Sequence, residues 1–133
     1  MVKFCHFELA FKFLMERHRN QVFSQRLKPS ENTVSIFQCL FVSITSYANG
    51  AAISMPSLKF ISLDVTDSIF DSCTVNGEKG SDLSSGGAIF AILKDHIHIY
   101  KSCFCNCHAP EADVIEYFSP KHNISHNYFN LEQ

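Results

Sequence analysis

The chain has 133 residues, of which 46% are hydrophobic, and a formal net charge of −2 with its seven histidines counted as neutral. A chain of this length makes one domain, and this apolar content belongs to an ordered protein rather than a disordered one. The slightly acidic balance argues against a nucleic-acid partner, because counterion release needs clustered Lys and Arg. Arg17, Arg19, Arg26 and Lys28, with Glu16 beside them, read as a solvated face.

Residues 3–21 contain no β-branched side chain. Phe4, Phe7, Phe11, Leu14 and His18 recur at helical spacing, with Lys3, Glu8, Lys12, Glu16 and Arg19 mostly elsewhere on the wheel. A strand reading competes, because Cys5, Phe7, Leu9, Phe11, Phe13 and Met15 alternate strictly. The lack of Val, Ile and Thr favours an amphipathic helix over residues 4–20, within an N-terminal helical cap spanning 1–28. His6, Glu8 and Lys12 break the apolar stretch, and no small-residue cleavage site follows, so it does not read as a signal peptide. No apolar run anywhere approaches the roughly 18 residues a membrane span needs. Residues 28–32, Lys-Pro-Ser-Glu-Asn, make a polar linker with a breaker in it.

From Thr33 the composition shifts to short runs of Val, Ile, Phe, Ser and Thr, and a block recurs. It reads Ser35-Ile36-Phe37-Gln38-Cys39, then Ser68-Ile69-Phe70-Asp71-Ser72-Cys73, then His98-Ile99-Tyr100-Lys101-Ser102-Cys103. The aromatic anchors Phe37, Phe70 and Tyr100 are 33 and 30 residues apart. A second block follows the first two copies: Gly50-Ala51-Ala52-Ile53 and Gly86-Gly87-Ala88-Ile89. Ile61, Leu63 and Val65 alternate, as do Ile97 and Ile99, which marks strands with one face in a core. Loops fall at 46–50, 75–87 and 106–113, and the second, being long and polar, is expected to be an exposed excursion. Periods near thirty residues mark solenoids, whose units bury their apolar faces only against neighbours. The expected fold is all-β: a right-handed parallel β-helix of about three rungs over residues 29–133. A small antiparallel sandwich is the alternative, but it wants hairpin signals, and Asn76-Gly77 leads into a polar loop instead. In the β-helix register Phe37, Cys39, Ile53, Phe70, Cys73, Ile89, Tyr100 and Cys103 are the expected core.

Phe70-Asp71-Ser72-Cys73-Thr74-Val75-Asn76 followed by Gly86-Gly87-Ala88-Ile89 resembles the repeats of chlamydial polymorphic outer membrane proteins and of trichomonad-type surface proteins. The resemblance covers about residues 34–118. It implies a pectin-lyase-like β-helix, carried on secreted or cell-surface proteins. The chain departs from the pattern in three places. Cys39 follows its aromatic by two residues rather than three; the first Gly-Gly is Gly50-Ala51; and Ala112-Asp113-Val114-Ile115 replaces the third.

Motifs that could carry chemistry are weaker. Cys103-Phe104-Cys105-Asn106-Cys107-His108, with His96, His98 or His122, could form a zinc site. Cys-x-Cys-x-Cys on a strand, however, spaces successive sulfurs about 7 Å apart on one face, which suits core cysteines better than one ion. Cys39, Cys73 and Cys103 are expected to stack about 4.8 Å apart in adjacent rungs, as thiols rather than bridges, although that spacing is within disulfide range. Asp64, Asp67 and Asp71, and Glu111, Asp113 and Glu116, are the acids that a β-helix hydrolase or lyase could cluster across turns, though as loop acids they read as solvated. His96 and His98 share the outward face of one strand and read as solvated. Asn123-Ile124-Ser125 fits the N-glycosylation pattern. No residue is assigned to catalysis, to a cofactor or to a metal. The expected function is a non-catalytic surface or interaction scaffold, a fragment or short member of such a β-helix repeat surface-protein family, with a protein or glycan ligand and self-association through open β-helix ends. A carbohydrate-active enzyme on the same fold and a Cys/His metal module are the alternatives.

Overall fold

The computed structural model describes residues 2–3, 6–9, 14–15, 23–24, 33–82, 84–111 and 114–130. These residues form strands, turns and loops, and no helix occurs among them. The N-terminal part contributes β1 (Val2–Lys3), β2 (His6–Leu9), β3 (Leu14–Met15) and β4 (Phe23–Ser24). The expected helix over 4–20 is therefore not found where that span is described: His6–Leu9 and Leu14–Met15 are strands. The remainder of the span, the basic set Arg17, Arg19, Arg26 and Lys28, and the boundary at 28/29 lie outside the described residues. The physical reason is tertiary pairing: β2 hydrogen-bonds antiparallel along Thr33–Phe37, and β1 along Leu40–Val42, so a sheet edge decides the conformation over local propensity.

From Thr33 the chain coils. The first turn holds β5 (Thr33–Phe37), β6 (Leu40–Val42), β7 (Thr45–Ser46) and β8 (Ile53–Met55). The second holds β9 (Ser62–Thr66), β10 (Ile69–Asp71), β11 (Thr74–Val75) and β12 (Ile89–Ile92). The third holds β13 (His96–Tyr100), β14 (Cys103–Cys105) and β15 (Ile115–Phe118), and β16 (Lys121–Ser125) and β17 (Tyr128–Asn130) begin a fourth. Each strand pairs in parallel with its counterpart one turn away, giving the ladders β5-β9-β13-β16, β6-β10-β14-β17 and β8-β12-β15. An all-β chain of stacked parallel sheets of this kind fits a parallel β-solenoid.

Two one-residue corners shape every turn. Gln38, Asp67, Lys101 and His126 occupy the first, and Ser43, Ser72 and Asn106 the second, all at φ between 50° and 56°. A non-glycine residue in this left-handed region costs about 1–3 kcal/mol. The neighbouring turn offsets that cost, since corner amides donate to it: Gln38 to the Thr66 carbonyl (3.1 Å), Ser43 to Asp71 (2.9 Å), Asp67 to Tyr100 (3.1 Å) and Ser72 to Cys105 (2.8 Å). The residue after the first corner points inward and forms a polar ladder. The Cys39 amide donates to Ser68 Oγ, the Ser68 amide to Ser102 Oγ, and the Ser102 amide to Asn127 Oδ1. Backbone groups that the corner would strand in the interior are thus satisfied.

The core register differs from the expected one. Phe70 stacks with Phe41 and Phe104, at ring centroids 4.6 and 4.7 Å, and Phe104 stacks on Phe129 at 5.0 Å. The true spacings between equivalent phenylalanines are 29, 34 and 25 residues. Phe37 and Tyr100 pair instead with Thr66 on the outer face, where Phe37 is 39% exposed and Tyr100 half-buried. Cys39, Ile53, Phe70, Cys73 and Ile89 are buried as expected, but Cys103 is half-buried and outward, level with Ile69. The Gly50 and Gly86 blocks do align, with Ile53, Ile89 and Ile115 in one row. Gly50 (φ +72°) and Gly86 (φ +65°) have no room for a Cβ, which would meet the Ile53 and Ile89 carbonyl oxygens at 2.1 and 2.3 Å. The long loop is exposed only in part. Ser84 and Ser85 are buried, the Ser84 hydroxyl donates to the Glu78 and Ser81 carbonyls, and Asn49 holds Ser85 and Asp82.

Candidate functional site

Strand alternation places Ser62, Asp64 and Thr66 of β9, His96, His98 and Tyr100 of β13, and Lys121, Asn123 and Ser125 of β16 on one outer face, with Leu63, Val65, Ile97 and Ile99 in the core. Parallel register then forms two rows across the turns: Ser62, His96, Lys121 and Asp64, His98, Asn123. Asp95 immediately precedes β13. Its amide donates to the Ile61 carbonyl (2.9 Å) and its carbonyl accepts from the Lys121 amide (3.1 Å), which fixes its carboxylate beside the first row.

Asp64, Asp95, His96, His98, Lys121 and Asn123 line a shallow groove of about 330 Å³ that also reaches Ile97 and His122. His96 lies between two carboxylates, with Nδ1 3.0 Å from Asp95 Oδ2 and Nε2 3.2 Å from Asp64 Oδ1. His98 Nδ1 is 3.6 Å from the same Asp64 oxygen, and Lys121 Nζ donates to Asp95 Oδ1 at 2.9 Å. Because both ring nitrogens of His96 face carboxylate oxygens, only the imidazolium can donate to both. The hydrogen bond with Asp95 raises the His96 pKa, Asp64 adds to the effect, and burial opposes it. The Asp95 carboxyl is correspondingly held below its ordinary value, first by His96 and then by Lys121. The groove therefore carries two carboxylates matched by an ammonium and an imidazole biased toward its charged form.

The other candidate residues are dispersed. Asp67 sits exposed at a corner, and Asp71, on the sheet of β10, accepts from the Ser72 hydroxyl (3.0 Å). The three aspartates thus do not form one cluster, and Asp64 alone belongs to the groove. Glu111 accepts from the Gly80 amide (2.7 Å), Glu116 is half-buried on β15, and Asp113 lies outside the described residues. His96 and His98 do share the outward face, but they are engaged with carboxylates rather than simply solvated.

The cysteine cluster does not form one face. Cys103 and Cys105 point outward from β14, and the left-handed corner at Asn106 turns Cys107 inward to 1% exposure. Among the described residues no group of three or more His, Cys, Asp or Glu is placed to hold a metal ion. The cysteines that meet across turns are Cys73 and Cys107, not Cys39, Cys73 and Cys103. Cys73 follows the corner at Ser72 as Cys107 follows Asn106, and the adjoining Thr74 bridges His108. The Cys73 thiol pKa is pushed up by its hydrogen bond with Cys107 and by burial, so Cys73 stays protonated.

Sequence reasoning missed Asp95 and Lys121. Each sits at the start of a strand whose partner is decided by turn length, so no local spacing connects them; the signal available was an acid directly before the alternating His96–Tyr100 run. No helix among the described residues is long and apolar enough to cross a membrane. Neither a protein-family model, nor a curated protein, nor a solved structure matches the chain.

Proposed function

We propose that the chain is a right-handed parallel β-helix serving as a non-catalytic interaction scaffold, of the surface-protein kind that its Phe-x-x-Cys and Gly-Gly-Ala-Ile repeats resemble. The handedness follows from the rule that crossovers between parallel strands are right-handed. The ligand is a glycan or a protein, met by the outer face that carries Asp64, His96, His98 and Asn123. One observation carries this reading. The charged groups of the groove are spent on each other across neighbouring turns: His96 on Asp64 and Asp95, and Lys121 on Asp95. A recognition surface needs fixed donors and acceptors, and this mutual pairing across turns fixes them. Placement outside the cell rests on the resemblance alone.

A second reading, a carbohydrate-active enzyme, is favoured by one feature: two carboxylates from adjoining turns flank His96. A single experiment separates the two. The purified chain is applied to an array of polysaccharides and surface proteins, and each bound polysaccharide is checked for new reducing or unsaturated ends. Saturable binding that Asp64→Asn with His98→Ala weakens, with no product released, is the expected result. Product release abolished by Asp64→Asn would replace the scaffold with the enzyme, and absence of binding to any member would remove both.

A further inference from the structure

The residue after the second corner of each turn points into the core, and these residues form a row of Ile44, Cys73 and Cys107, all buried. Cys73 and Cys107 are neighbours on facing turns. The His108 amide donates to the Cys73 carbonyl (3.1 Å), the Val75 amide donates to the His108 carbonyl (3.0 Å), and Thr74 bridges His108 in parallel. That register sets the two cysteine Cα atoms one turn apart, about 4.8 Å, which is within the range a disulfide spans. The side chains do more than stand side by side, because the two thiols are hydrogen-bonded to each other. No other two cysteines among the described residues share a row. Cys39 lines up with Ser68 and Ser102, Cys103 with Ile69 and Tyr128, and Cys105 with Asp71 and Asn130. Cys103 and Cys105 stand two positions apart on one strand rather than on facing turns.

We propose that Cys73 and Cys107 form a disulfide in an oxidising environment, a covalent staple between the second turn and the third. The oxidant is a small-molecule disulfide such as oxidised glutathione. Cys107 is the attacking sulfur, since the hydrogen bond from Cys73 holds its pKa below the ordinary thiol value while Cys73 keeps its proton. The Cys107 thiolate attacks oxidised glutathione, forms a mixed disulfide and expels one glutathione thiolate, which takes up the Cys107 proton. Cys73 then attacks the Cys107 sulfur, gives up its own proton and expels the second glutathione as thiol. Two thiols and one oxidised glutathione become one protein disulfide and two reduced glutathiones. Both sulfurs are buried, so the exchange takes place as the third turn docks on the second, and the finished bridge is shielded from reductant. The bridge closes the stretch that carries the long loop 75–87 together with β12, β13 and β14. His96 and His98 of the groove thus lie within the closed ring, yet the bridge is independent of what the groove binds.

The test refolds the full chain in a mixture of oxidised and reduced glutathione, alkylates the remaining thiols in denaturant, and maps the peptides by mass spectrometry. The expected product joins the peptide of Cys73 to that of Cys107 and leaves Cys39 alkylated. The oxidised chain should melt on the order of 10 °C above the reduced chain, and Cys107→Ala should remove that difference. If Cys107→Ala does not fold, the wild-type peptide map and the two wild-type melting curves decide. Alkylation of both Cys73 and Cys107, a bridge between any other pair, glutathione attached to Cys103 or Cys105 as the sole product, or oxidised and reduced chains that melt together would each overturn the inference.

Discussion

Replacing Phe70 by Ala tests the core register directly. Phe70 has no exposed surface and lies between Phe41 and Phe104, with rings 4.6 and 4.7 Å away and within 4° of parallel. Truncating a buried Phe costs about 3–5 kcal/mol, and ring stacks add about 0.5–1.5 kcal/mol each beyond burial, so the loss belongs at the top of that range, about 4–5 kcal/mol. A chain of this length is stable by about 7–20 kcal/mol at typical per-residue values. A parent at the lower bound would leave the variant only about 2–3 kcal/mol of stability, and Phe70→Leu, costing about 1–2 kcal/mol, serves where that margin is too narrow to measure. The informative comparison is Phe37→Ala. The repeat read from the sequence makes Phe37 the equivalent of Phe70, whereas the structure puts it on the outer face at 39% exposure, so its truncation should cost under about 1 kcal/mol. Urea denaturation of the parent and both variants, with unchanged slopes, measures both values. Equal losses at Phe37 and Phe70, or a Phe70→Ala loss below about 1.5 kcal/mol, would refute the stacked register.

Gly50→Ala and Gly86→Ala should each destabilise the chain by more than about 2 kcal/mol, because the added Cβ meets a backbone carbonyl; Gly80→Ala, also at positive φ but with nothing within 4 Å, should cost only the backbone strain of about 1–2 kcal/mol. Thermal denaturation of the three variants should show that order, and a Gly80 loss matching the other two would contradict it. The His96 cluster should leave a pH signature. The folded-state pKa of His96 is raised above 6.5, so its pairing contributes fully below about that pH and is lost as pH climbs through the raised value. The Asp95 pKa is lowered below 3.8, so its contribution is complete above about that pH and is lost as pH falls through the lowered value. Stability from the cluster should therefore peak between roughly pH 4 and 6.5, and His96→Gln should remove the decline on the alkaline side. A His96 ring that titrates below 6.5 by NMR would sink this.

Much of the architecture was legible in the sequence. Alternation in Leu63–Val65 and Ile97–Ile99 located two strands of the longest ladder, and the Gly-Ala-Ile blocks gave the row of Ile53, Ile89 and Ile115 correctly. The aromatic register slipped because two aromatics lie close together in each of two turns. Phe37-Gln38-Cys39 imitates Phe70-Asp71-Ser72-Cys73, but the true equivalents are Phe41-Val42-Ser43-Ile44 and Phe104-Cys105-Asn106-Cys107. The first lacks the cysteine because isoleucine fills the same interior position, and core packing accepts either. The groove was only half legible. Outward placement of His96 and His98 follows from strand period, whereas their meeting with Asp64 and Asp95 depends on how many residues each turn consumes. The N-terminal strands escaped because pairing to an existing edge is a long-range effect that propensity does not register.

The one-residue corners bear on where this chain can change in length. From the first ladder through the first corner to the second ladder, every turn uses the same count: Phe37 to Leu40, Thr66 to Ile69, Tyr100 to Cys103, and Ser125 to Tyr128. A single insertion there would rotate all following side chains to the opposite face. The stretch between Val75 and Ile89 is twice as long as its counterpart between Ser46 and Ile53, yet both deliver the chain to the same row. The molecule thus has a metered corner, where every turn uses the same number of residues, and elastic connections, where turns of different length still deliver the chain to the same row. In this chain the extra length is taken up by the loop whose exposed tip is Glu78–Gly80, while the groove residues Asp64, His96, His98, Lys121 and Asn123 stand on ladder strands held in register.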